Sequence, residues 1–186
     1  LYTHPQISKV ATKANGFYKH SNFYKFTSPN TKVFAARQRM YAQAYDAKLL
    51  RSSPNLVAMD VSPGSLFYAQ QVSQNILCVS PWPKIVILLR NPLDRVYEQY
   101  ARAKEIFGLR ISLEQWIANE MQLITSSGLI GKEPNSPEEK EAWKTYQRVR
   151  SMANAMGRSL YVFQLEEWLT TYKQVGKVPN KEIYIV

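Results

Sequence analysis

The segment Lys84–Tyr100, KIVILLRNPLDRVYEQY, decides how the chain is read. Ile85–Leu89 is an unbroken apolar run of strand length. It lacks the alternation of a half-solvated strand, so it predicts a strand buried on both faces. Arg90, Asn91 and Pro92 end it. From Asp94 onward, apolar residues fall at Val96, Tyr97, Tyr100, Ala103 and Phe107, which is helical spacing. A parallel-type strand, a tight turn carrying an arginine and then a helix is the unit from which α/β folds are built. In those folds ligands sit at the carboxyl ends of the strands, where a helix N-terminus favours anions. Arg90 stands at that point. A guanidinium forks onto phosphate oxygens through charge-assisted bonds, which makes Arg90 the first candidate ligand.

Further elements flank this unit on both sides. Asn55–Ser62, NLVAMDVS, reads as a second buried-type strand closed by Pro63-Gly64, and Lys181–Val186, KEIYIV, as a third. Helices are expected over Ala35–Leu50, Leu66–Ile76, Ser112–Thr125, Glu138–Met156 and Gly157–Tyr172. In the first of these Met40, Ala44, Ala47 and Leu50 share a face. Ser62 suits either an N-cap for the helix from Leu66 or a cleft position at a strand end. Ser112 with Gln115 is a capping-box signature, ahead of an inward face of Leu113, Trp116, Ile117 and Met121. Tyr161, Leu165, Trp168 and Tyr172, spaced by three and four, form one helical face that is mainly core. Ser126–Pro137 carries Gly128, Gly131, Pro134 and Pro137 and reads as a surface loop. Thr12–Phe26, TKANGFYKHSNFYKF, reads as an aromatic and lysine-rich loop.

The chain of 186 residues has the length of one domain with room for a core, and its 45% apolar content is ordinary for a globular protein. Its net charge of +10 implies an anionic partner: a nucleotide, a sulfated or carboxylated glycan, nucleic acid or a membrane surface. The basic residues are dispersed, which disfavours a nucleic-acid tail and favours an anionic cosubstrate. One cysteine, Cys78, excludes an intrachain disulfide and a multi-cysteine metal site. His4, His20 and Cys78 lack ligand spacing, so no metal is expected. No apolar run reaches the roughly eighteen residues that a membrane span needs, and no signal-peptide pattern is present in these residues.

Arg90-Asn91-Pro92-x-Asp94-Arg95-x-Tyr97-x-x-Tyr100, following an apolar strand, resembles the 3′-phosphate-binding segment of sulfotransferases that use 3′-phosphoadenosine 5′-phosphosulfate (PAPS). Among these it is most similar to the carbohydrate and heparan sulfate type. Gly157–Tyr172, GRSLYVFQLEEWLTTY, is similar to a second family segment through Ser159, Leu160, Tyr161, Leu165, Trp168, Leu169 and Tyr172. Asp60, Ser62 and Pro63 match a family strand end, and Lys13, Phe17 and Tyr18 match a family loop. Leu1–Ile7, LYTHPQI, resembles the stretch after the helix that follows the 5′-phosphosulfate loop. The likeness therefore runs in order along most of the chain.

The resemblance implies an α/β, P-loop-kinase-like three-layer fold with a mostly parallel sheet and helices on both faces. Residues 1–186 would form a single sulfotransferase-like domain. Its 5′-phosphosulfate loop would lie upstream of Leu1, and its nucleotide-covering loop downstream of Val186. It further implies transfer of a sulfuryl group from PAPS to a hydroxyl or amine of an acceptor, most naturally a carbohydrate, without a metal. Arg90, Ser62, Ser159 and Tyr161 would border the nucleotide PAPS or its product 3′-phosphoadenosine 5′-phosphate (PAP), and Lys13 would face the acceptor as a catalytic candidate. The carbohydrate type implies a Golgi lumen location with an N-terminal anchor; other types imply a soluble intracellular or organellar location.

Three positions depart from the family pattern. The glutamate that acts as base in several heparan sulfate enzymes corresponds to Ala14, which cannot take a proton. A lysine that stabilises the leaving phosphate corresponds to Val61. The serine that donates to the 3′-phosphate corresponds to Glu98, a carboxylate that costs roughly 1–4 kcal/mol within about 4 Å of a phosphate charge. Glu98 also stands four residues before Arg102, a spacing that allows a helical ion pair. Arg95 is expected to pair within its helix or with a nearby carboxylate. These departures support an alternative, a catalytically degenerate sulfotransferase-like domain serving as a structural or binding subunit of a larger assembly. A P-loop nucleoside kinase relative would share the architecture, but Arg90–Tyr100 is not a kinase signature.

Overall fold

The computed structural model describes residues 5–8, 39, 47–61, 64–79, 83–148 and 155–186. It is a mixed helix and strand protein with two small parallel sheets. The chain divides into two compact units: Leu1–Lys84 with Thr171–Lys177, and Ile85–Thr170 with Val178–Val186.

In the first unit, β1 (Ile7–Ser8) pairs in parallel with β2 (Val57–Ala58), Ile7 opposite Val57. Both residues of β2 are exposed, so the buried strand expected at Asn55–Ser62 is two residues long and solvated. Among its described residues this unit has the helices α1 (Ala47–Ser52) and α2 (Ala69–Val79). Of the rest of the helix expected at Ala35–Leu50, Arg39 is helical and exposed, while residues 35–38 and 40–46, with Met40 and Ala44, lie outside the described residues. Around α2 the buried groups are Phe67, Ala69 and Val72. The Phe67 ring meets that of Tyr68 edge-on, with centroids 4.9 Å apart. Ser73 and Thr171 bury their hydroxyls by bonding to each other at 2.9 Å, which removes the cost of leaving either unpaired. Tyr172 is fully buried, and its hydroxyl donates to the Pro83 carbonyl at 3.4 Å.

The second unit contains β3 (Ile85–Ile87), α3 (Pro92–Phe107), α4 (Leu113–Ser126), α5 (Pro137–Arg148), a 3-10 turn at Gly157–Ser159, α6 (Tyr161–Gln174, entering the first unit at Thr171), the short α7 (Pro179–Glu182) and β4 (Ile183–Ile185). β3 and β4 run parallel, with Ile85 opposite Ile183 and Ile87 opposite Ile185. Beyond the strand the Leu89 amide still donates to the Val186 carbonyl at 2.8 Å. Ile87 and Ile183 are buried, whereas Val86 and Leu88 are 61% and 69% exposed. The apolar run at Ile85–Leu89 is therefore a strand covered on one face, which corrects the expectation of burial on both.

Packing in this unit centres on Val96, Trp116 and Ala155, with Tyr100, Leu109, Ile111, Leu113, Ile117 and Met156 against them. Tyr100 lays its ring near Trp116 and donates its hydroxyl to the Ile111 carbonyl at 2.9 Å, pinning the chain between α3 and α4. Of the helical face expected from Asp94 onward, Val96 is buried; Tyr97 and Phe107 face solvent. Ser112 caps α4 as expected, accepting from the Gln115 amide at 3.2 Å, while the Gln115 side chain turns to Asn119 and so leaves the capping box half made. On α4 the buried positions are Trp116, Glu120 and Ile124; Met121 is partly exposed.

α5 is described as far as Arg148; residues 149–154 of the helix expected over Glu138–Met156 lie outside the described residues, and Ala155 and Met156 form a turn. After Met156 a 3-10 turn at Gly157–Ser159 leads into α6, which starts at Tyr161. Trp143 on α5 stacks on Tyr146 and on Phe163 of α6, with centroids 5.4 and 4.9 Å apart. The Tyr146 ring lies against Gly157: a Cβ there would overlap the ring. Only a residue without a side chain fits.

Two outcomes follow from this packing. Gly157→Ala must push the fully buried Tyr146 ring aside, and is expected to lower stability by about 1–3 kcal/mol in denaturant unfolding. Half-burial pushes the Glu167 carboxyl up; the cations Lys140 and Lys144 on α5 pull it down less strongly. A carboxyl raised in the folded state binds its proton more tightly there than in the unfolded chain. Stability therefore falls as pH rises through that range, and Glu167→Gln is expected to raise Tm at pH 7 but not below about pH 4, where unfolded glutamate is also protonated.

Candidate functional site

Arg90 leaves the carboxyl end of β3 and Asn91 begins the turn into α3. Pro92, whose missing N–H costs nothing in a first helical turn, opens the helix. The Asn91 side chain accepts from the Leu93 amide at 2.9 Å and the Asp94 amide at 3.4 Å. Asp94 adds a negative charge to the same turn. The helix N-terminus that the sequence offers to an anion is thus largely satisfied by its own side chains. The groups available to a ligand here are side chains.

Arg90 bonds through Nη1 to the Glu98 carboxylate, one to two turns along α3. Both side chains are more than half exposed, at 55% and 58%. Glu98 therefore pairs with Arg90 and not, as its spacing suggested, with Arg102. Such a surface pair is worth about 0–1 kcal/mol, so the guanidinium is held loosely in its present position.

Behind the helix start, Arg95 is half-buried and points inward. Its Nη1 donates to the Ala155 carbonyl at 3.0 Å and to the Ser159 hydroxyl at 3.4 Å, where the sequence led us to expect a carboxylate. Burial lowers the Arg95 guanidinium from its usual value, while Tyr161 and Glu120 oppose that shift and Arg158 adds to it. Ser159 Oγ also lies 3.3 Å from the Pro92 carbonyl and 3.1 Å from that of Ala155. With a single proton it donates to one of them at a time. Ser159, Tyr161 and Arg95 are thus gathered at the start of α3. Val61 belongs to the first unit and is part-exposed. Ser62, Lys13 and Ala14 lie outside the described residues.

The group that organises this corner is Glu120, which sequence reading did not single out. It is 1% exposed, on the inward face of α4. One carboxylate oxygen accepts from the Tyr146 hydroxyl and from the Gly157 amide at 3.0 Å; the other accepts from the Ala155 amide at 2.8 Å. Burial, reinforced by Glu120, holds the Tyr146 phenol far above its usual range, so it stays a donor. Gln164 closes the turn from the far side, donating to the Gly157 carbonyl at 2.9 Å and to that of Leu160 at 3.3 Å. The signal that could have revealed Glu120 is its spacing: it follows Trp116 and Ile117 by four and three, which places an acid on a core face. Among the described residues no cluster of His, Cys, Asp and Glu could hold a metal ion, and no helix is long and apolar enough to cross a membrane.

No family model, curated protein or solved structure matches the chain.

Asn91→Ala removes the acceptor for two amides at the start of α3. It is expected to cost about 1 kcal/mol in denaturant unfolding, with Asn91→Asp near neutral, because a carboxylate caps equally well.

Proposed function

We propose that this chain is a sulfotransferase-like α/β domain of P-loop-kinase-like, three-layer type. It would bind the nucleotide PAPS and transfer its sulfuryl group to a hydroxyl or amine, most naturally of a carbohydrate. The observation that carries this reading is Arg90: a solvent-accessible guanidinium at the carboxyl end of a parallel strand, paired among the described residues with the exchangeable carboxylate of Glu98. A phosphate dianion offers the fork the same geometry with greater charge. Ser159 and Tyr161 stand at the same corner, with Arg95 held beside them. The net charge of +10 favours an anionic cosubstrate.

In the reaction the acceptor oxygen or nitrogen attacks the sulfur in line with the bridging oxygen of the phosphosulfate. The new S–O or S–N bond forms as that S–O bond breaks, PAP departs, and the acceptor's proton passes to a base or to water. Arg90 holds the nucleotide through its 3′-phosphate and does not touch the sulfur. Lys13 is the candidate for facing the acceptor. Catalysis of this kind rests on positioning and on positive charge aimed at the oxygens that gain charge.

The second reading is a degenerate domain that serves as a structural or binding subunit. The Arg90–Glu98 pair favours it, since the carboxylate occupies the arginine from within. Ala14 and Val61 lean the same way. Calorimetric titration of the full chain with PAP separates the two. Micromolar binding that Arg90→Ala abolishes supports the cosubstrate site. Binding only in Glu98→Ser, with an expected gain of tenfold or more from removing one like charge, supports a site disabled at that position. No binding by any variant overturns the enzyme reading.

A further inference from the structure

We propose that Glu120 is a positioning residue: its carboxylate fixes the 155–159 turn, and through that turn sets Ser159 and Arg95 against the start of α3. This rests on reading that corner as the nucleotide site. A core position on an amphipathic helix is normally filled by an apolar side chain, and a buried carboxylate is expensive unless fully hydrogen-bonded. Glu120 meets that condition with one phenol and two backbone amides, all three bonds directed at its two oxygens. Both amides belong to the turn at residues 155–159 that leads into α6.

The output of that turn lies on its opposite side. The Ala155 carbonyl accepts from Arg95, and Ser159 Oγ reaches the carbonyls of Ala155 and Pro92. The same peptide segment is therefore gripped through its N–H groups by α4 and presents its carbonyl and its serine to α3. Only a carboxylate performs the grip, because it accepts at both oxygens. Glutamine of the same size turns an NH2 group toward a backbone N–H or the Tyr146 hydroxyl and loses at least one bond.

The test uses the full chain with Glu120→Gln, Ser159→Ala and the double variant. Two quantities are read: amide hydrogen exchange without ligand and PAP affinity by calorimetry, at a temperature where circular dichroism shows each variant folded. Glu120→Gln is expected to speed exchange at the 155–159 amides by about tenfold or more and to weaken PAP by about five- to tenfold, the size of one ordinary net hydrogen bond. In the Ser159→Ala background the same change is expected to weaken PAP less than about twofold, since coupled residues are not additive. Unchanged exchange at the turn overturns the proposal. So does a lowered Tm with unchanged PAP affinity, or an undiminished loss in the Ser159→Ala background. If the wild type does not bind PAP, the nucleotide reading falls, and the exchange result alone decides whether Glu120 fixes the turn. Should Glu120→Gln fail to fold, Tyr146→Phe, which removes one donor and leaves the carboxylate on both amides, is read in the same way with a smaller expected effect.

Discussion

Everything around the candidate site depends on one buried negative charge being matched by donors that cannot move away. Glu120 sits inside the second unit, and among the described residues two backbone amides and a phenol hold it. Backbone donors are well suited to this because they carry no rotamer entropy of their own, and the bonds are charge-assisted. The phenol comes from α5, the carboxylate from α4 and the amides from the turn before α6. Three parts of the chain thus converge on two oxygen atoms. Gly157 completes the arrangement by letting the Tyr146 ring lie against the backbone, and its missing side chain is a packing requirement rather than a matter of backbone freedom.

The corner that results divides its arginines by task. Arg95 is committed to a carbonyl and a hydroxyl, half out of water, and serves to join α3 to the turn. Arg90 is at the surface against a carboxylate that competes with any incoming anion. The same residue type five positions apart is thus an internal bolt in one case and a solvent-exposed group paired with a carboxylate in the other. Burial and partner make the difference.

Much of this was legible in the sequence, but unevenly. The passage from the Ile85–Leu89 run through Arg90 into a helix was readable because apolar periodicity changes there from a continuous run to helical spacing. Ser112 gave its cap away, as did the face of Trp168 and Tyr172 on α6, where both are buried. Burial of β3 was over-read: a continuous apolar run is compatible with one covered face or two, and periodicity alone cannot tell them apart. The Arg90–Glu98 pair was hidden because Arg90 precedes the helix, so helical spacing says nothing about which of its residues it meets. Glu120 was hidden for a different reason. Among the described residues its partners are mostly backbone amides, which leave no trace in residue identity, and the side-chain partner, Tyr146, lies on another helix.

The pairing of β3 with β4 has a consequence for how the second unit comes together. Ile85 finds its ladder partner at Ile183, and nearly all of that unit's helices lie between the two. Local contacts within α3, α4 and α5 can form early and cheaply. The two short strands, by contrast, must wait until the intervening chain has condensed, because closing so long a loop costs entropy before any ladder bond compensates. Until then β3 is an unpaired apolar strand, the kind of surface that finds other chains in a crowded solution. The helices therefore act as chaperones of their own sheet, shortening the time for which that strand stands alone.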